Sequence, residues 1–352
     1  MILAGALMLA TSASAQVSLT PPVAETPAAK PPPAKAAPKP PVAARKPPAP
    51  PADAKSAGKP PPAATATPAP APEDPNADLV YGAYQRGQYK TAFDLATTRA
   101  QAGDIKAMTM LGELYANQLG IKRDYAKAVD WYKRAADGGD REAMFALAMM
   151  RIAGRGGPVD KQDAVRLLAS AAKLGEAKAA YNLALLYLDG QTLPQDLKRS
   201  AELLRVAADA GNAEAQYALA SFYKEGAGVE KDVDKSVRLL QAAALADNVD
   251  AEVEYAIALY NGMGTPKNQA AAVALLRKAA RQNSAIAQNR LARVLLSGQG
   301  APMDKVEALK WHLIAKTAGK GDPELDDTFA ALSPEDRAKA EQAARRWLGA
   351  TK

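Results

Sequence analysis

Residues 103–138 read GDIKAMTMLGELYANQLGIKRDYAKAVDWYKRAADG, and the same outline returns every 36 residues until about Gly319. Gly103, Gly139, Gly175 and Gly211 open the copies, and Asp247 and Asn283 keep the phase. A fixed period of this length marks a solenoid of one repeated supersecondary unit. With the opening residue as position 1, position 5 is alanine in all six copies, from Ala107 to Ala287, and so is position 33, from Ala135 to Ala315. Position 10 is Gly112 and then alanine. Small side chains there let helix axes approach closely. Bulk comes from position 9 (mostly Leu, as at Leu111) and position 29 (Trp131, four leucines and Trp311). Positions 5, 9, 12 and 13 share one helical face, and positions 26, 29, 30 and 33 another. Each copy is therefore two helices whose apolar stripes bury against each other and against neighbouring copies.

The link between the two helices has its own pattern. Glycine stands at position 16 in five copies, where a helix must stop in a left-handed conformation. A second glycine recurs at position 18 with Thr192 the exception, and proline recurs at position 20. Position 22 is Asp124, Asp160, Asp196, Asp232, Asn268 and Asp304, a residue type that caps the next helix. An aspartate ladder also suggests a cation site, but one carboxylate per separated loop does not converge the six or more oxygens that calcium needs.

These residues together read A-x-x-x-L-[GA]-x-x-Y-x-x-G-x-G-[VI]-x-x-D-x-x-K-A-x-x-W-Y-x-[KR]-A-A-x-x-G. That string resembles the Sel1-like repeat, a relative of the tetratricopeptide repeat with a longer inter-helix loop, here of a bacterial exported type. Lys224 to Val229 with Asp232, and Ala128 to Tyr132 with Ala135 and Ala136, match closely. Asn117-Gln118 and Thr192-Leu193 depart from the loop pattern, and His312 replaces Tyr or Leu at position 30. The expected fold is an all-α, right-handed superhelical solenoid.

Five segments are expected. Residues 1–15 read as an export signal, with an apolar run from Ile2 to Leu9 and cleavage after Ala13-Ser14-Ala15, although no Lys or Arg precedes the run. Residues 16–75 form a Pro/Ala/Lys-rich linker; residues 17–75 hold 20 of the 26 prolines and too little apolar bulk to build a core. An N-terminal unit similar to a tetratricopeptide hairpin occupies 76–102, with a shortened turn at Gly87. The six repeats span 103–319. A capping region fills 320–352, where Ser333-Pro334 opens a helix with a stripe of Ala338, Ala344, Trp347 and Leu348.

Composition excludes several chemistries. The chain has no cysteine, which removes thiol catalysis, disulfides and cysteine–zinc sites. His312 is the sole histidine and reads as a packing residue. No nucleophile elbow, phosphate loop or H-E-x-x-H is present. No catalytic, cofactor or metal residue is assigned, and no cofactor is expected. Residues 17–75 carry seven Lys/Arg against four Asp/Glu, so three of the formal +7 charge belong to that segment. No basic patch with aromatic platforms appears, so nucleic acid is not an expected partner. The N-terminal apolar run is too short for a transmembrane anchor.

A protein or peptide partner is expected instead. First helices of such arrays line a concave surface, and positions 8, 11 and 15 point outward from the predicted core stripe. Position 11 supplies Met149, Leu185 and Ile257, an apolar track ending at Arg290 and Arg293. Either this track is exposed for a partner, or it packs against neighbouring helices. The resemblance implies a non-catalytic periplasmic or secreted scaffold or regulatory adaptor, with a membrane sensor kinase or envelope components among the partners it suggests. A cell-wall-associated role is the alternative, in peptidoglycan or muropeptide binding or β-lactamase-like chemistry. The absence of the cysteine pairs of such relatives weighs against it.

Overall fold

A computed structural model of the chain describes residues 79–350. The expected signal and proline-rich linker lie outside the described residues. Two helices come first, α1 (Leu79–Gln85) and α2 (Tyr89–Gln101), joined at Gly87 with φ 71°. Six pairs of 13-residue helices follow: α3 (Ile105–Asn117) with α4 (Tyr125–Asp137), α5 (Arg141–Ala153) with α6 (Lys161–Lys173), and α7 (Ala177–Asp189) with α8 (Leu197–Asp209). The series continues with α9 (Ala213–Glu225) and α10 (Val233–Leu245), α11 (Val249–Asn261) and α12 (Gln269–Arg281), and α13 (Ala285–Ser297) and α14 (Lys305–Thr317). Each helix packs on the one before and the one after it, the contact pattern of an all-α solenoid.

A 13-residue helix is marginal alone in water, so tertiary packing and caps hold these in place. The alanines of positions 5 and 33 are almost completely buried. One cluster runs without a break from Ala148 to Phe222, through Leu168, Leu183, Leu204 and Leu219. Every position-22 residue caps its helix: Asp124, Asp160, Asp196, Asp232, Asn268 and Asp304 each accept the backbone N–H three residues on, at 2.8 to 3.0 Å. The first helices are capped as well, at position 2, a feature the repeat pattern did not reveal. Asp140 and Asn212 each accept at 2.7 Å, Asn248 at 2.9 Å and Asp104 at 3.1 Å.

Position 16 ends the first helices in the left-handed region, as expected. Gln118 takes that conformation at φ 60° where other copies place glycine; a side chain there costs about 1–2 kcal/mol. Glycine at position 18 has a different reason. A Cβ on Gly156, Gly228 or Gly300 would stand 2.3 to 2.5 Å from the backbone carbonyl oxygen of position 23 in the preceding copy. The loops of these repeats thus lie directly on the start of the preceding second helix.

The C-terminal region differs from expectation in two ways. A short helix, α15 (Pro323–Ala330), precedes the predicted one and buries Leu325 and Phe329. In α16 (Pro334–Ala350), Ala338 is exposed, and the buried stripe consists of Ala340 and Ala344 with Trp347 and Leu348 half-buried. Ala340 is the residue one helical turn before Ala344, so the stripe is rotated from the one read in sequence. The Trp311 and Trp347 rings meet edge-to-face at 5.2 Å, and the Lys310 ammonium lies 4.1 Å from the Trp311 ring centre. That contact pins α16 over α14.

Candidate partner-binding face

In the first helix of each repeat, positions 7, 11 and 14 recur at i, i+4 and i+7 and form one stripe, with position 8 beside it. Core positions 5, 9 and 12 lie on the opposite side. The stripe is apolar at its centre and charged towards both ends. Phe145, Met149 and Ile152 on α5, with Tyr181 and Leu188 on α7, are half-buried there.

The predicted track is therefore only partly a surface. Met149 and Ile257 are half-buried on this face. Leu185 is not exposed: it keeps 6% of its surface and is buried. Arg290 is half-buried. Arg293 is not available as the end of a track, because its Nε donates to Asp322 Oδ2 at 2.6 Å and its Nη1 to Glu324 Oε2 at 3.0 Å. Those two carboxylates sit at the start of α15, the helix absent from the sequence reading.

Sequence reasoning also missed the aromatic members of the face. Phe145, Tyr181 and Tyr217 occupy position 7 in three consecutive repeats and are each half-buried. Their spacing was visible, but position 7 lies across the helix from the core stripe read in sequence, and Phe145 and Tyr181 are half-buried because they pack against a cluster that spans several repeats.

Polar contacts stitch the face together between copies. Tyr84 Oη on α1 donates to Glu113 Oε1 at 2.9 Å. Burial, then this carboxylate, pushes the Tyr84 hydroxyl up to about 12, so it stays a donor throughout the neutral range. Tyr217 Oη donates to Glu254 Oε1 at 3.2 Å, and Lys224 Nζ reaches Glu254 Oε2 at 3.1 Å. Glu254, at position 8, thus receives partners from positions 7 and 14 of the copy before it.

The remaining candidates have structural roles. His312 is fully buried, its Nε2 2.8 Å from Asp326 Oδ1 and its ring beside Phe329. An open groove of about 390 Å³ on the loop edge is lined by Arg205, Tyr223, Lys231, Asp232 and Lys235. Two of its charges pair with each other, Lys235 with Asp232 at 2.9 Å, with Lys235 lying over the Tyr223 ring, and Arg205 donates to the Tyr223 hydroxyl at 3.1 Å. Among the described residues no group of three or more His, Asp or Glu is placed to hold a metal ion, and no helix is long and apolar enough to cross a membrane.

Comparison with known proteins agrees with this architecture. The family model described as Sel1 repeat matches six consecutive windows, 105–140, 141–176, 177–212, 213–248, 249–284 and 285–320. Among solved structures, a Sel1 repeat protein from Oxalobacter formigenes is 26% identical with a TM-score of 0.61, over 68% of this chain and 98% of that one. A protective antigen of uropathogenic Escherichia coli strains displaying an SLR fold is 25% identical with a TM-score of 0.53, over 74% of this chain and 64% of that one. No curated protein sequence matches the chain.

Proposed function

The chain belongs to the Sel1 repeat family, and from that premise we propose that it is a non-catalytic periplasmic scaffold or adaptor that holds one protein or peptide on the inner face of its first helices. Sel1 repeats generally mediate protein–protein interaction. The observation that carries the placement is the stripe itself: half-buried Phe145, Met149, Ile152 and Tyr181, bounded by the polar clusters around Glu113 and Glu254. An apolar, aromatic centre with a polar rim is the composition of a protein-binding patch. Export is supported by the apolar run and small-residue site before Gln16.

Photo-crosslinking in cells tests the placement. A benzoylphenylalanine introduced at Met149 or Ile257 is expected to capture one discrete partner, and the same probe at Leu245, 81% exposed on a second helix, is expected not to. Equal capture from both sides overturns the inner-face assignment. Mass measurement of the mature chain tests export, with Gln16 the expected first residue.

A further inference from the structure

Position 8 carries a charged residue in only two of the six copies, Glu254 and Arg290. Glu254 is compensated from the preceding copy, by Tyr217 at position 7 and Lys224 at position 14. The same register sets Arg290 against Val253 and Tyr260, on either side of Ile257. Val253 is buried and apolar, and Tyr260 spends its hydroxyl on Gln299 Oε1 at 3.1 Å. Asp322, the carboxylate whose charge acts on Arg290, is itself hydrogen-bonded by Arg293 at 2.6 Å and Asn289 at 3.3 Å. Among the described residues, then, Arg290 has no hydrogen bond and no ion pair. It stands half-buried beside a second arginine.

A guanidinium cannot shed its proton, and a partly desolvated charge that no carboxylate pairs directly is destabilising. Its five donors match a carboxylate in two-point geometry. We propose that Arg290 is the anchor for a carboxylate of the bound partner, so that the inner face selects an acidic peptide, with the acid seated at Arg290 and apolar side chains running back over Ile257 towards Met149. This rests on the reading that the inner face holds a partner. It adds the partner's chemistry.

The test pans a random peptide library against the full chain and against its Arg290→Gln variant. Peptides enriched on the wild type are expected to share an Asp, a Glu or a free C-terminal carboxylate, and to lose at least about tenfold in affinity on Arg290→Gln. Replacing the peptide's acid with its amide is expected to cost the same factor, with no further loss in the variant. The melting temperature of Arg290→Leu is expected to equal or exceed that of the wild type, which separates an anchor from a structural residue. Peptides that compete with the Met149 crosslink but ignore Arg290 overturn this inference and leave the scaffold reading standing. Failure to enrich any peptide that binds this face overturns both.

Discussion

A methyl group on Gly112 would sit 2.6 Å from the ring of Tyr132, one helix later in the same repeat. The other five copies place alanine at position 10, opposite leucine or His312 at position 30. The first repeat solves the same space with the smallest residue and a buried aromatic ring. Gly112→Ala gains about 1 kcal/mol of helix propensity but overpacks the ring by about 1–3 kcal/mol. A net loss in denaturant unfolding is expected. Gly112→Ala combined with Tyr132→Leu recreates the pairing of the other copies, and a coupling of about 1–3 kcal/mol is expected from the double-mutant cycle. Additive losses would contradict the contact.

Gly228 and Gly211 both hold positive φ, 65° and 85°. A Cβ at Gly228 would stand 2.3 Å from the Leu197 carbonyl oxygen, whereas nothing lies within 4 Å of one at Gly211. Gly211→Ala is expected to cost about 1–2 kcal/mol from backbone strain alone. Gly228→Ala must also displace the preceding repeat, so its melting temperature is expected to fall clearly further. Equal effects would show that the loop does not dock where described.

Asp196 accepts the Arg199 backbone N–H at 2.8 Å and is exposed. Asp196→Ala is expected to cost about 1 kcal/mol, and Asp196→Asn only a few tenths. Chemical denaturation resolves the two.

Acid is expected to loosen the C-terminal cap before the rest of the array. Burial alone raises the Asp322 carboxyl, but the hydrogen bonds and charge of Arg293 with the Asn289 amide outweigh it and hold Asp322 below the ordinary carboxylate range. A depressed folded-state value means its stabilisation is complete above the unfolded value near 4 and is lost as pH falls through the lower, folded one. Amide exchange in α15 should accelerate below about pH 4, and Arg293→Gln should raise that midpoint towards the unfolded value. An unmoved midpoint would remove Arg293 as the cause.

The sequence alone determined the period, the two-helix unit, the small and bulky core positions and the capping role of position 22. Those features are local or identical in every copy, so six repetitions separate them from chance. The tertiary structure decided what differs between copies. Position 11 is surface or core copy by copy: Leu185 is buried and Met149 only half so, a difference set by what packs around each residue and not by the repeat's period. Glycine at position 18 reads in sequence as a turn residue, while in space it admits the backbone of the previous copy. The pair Arg290 and Arg293 looks equivalent in sequence. Asp322 and Glu324 lie beyond the last repeat, where the period ends, and only the packing of α15 shows that they bond Arg293 and leave Arg290 without a direct ion pair.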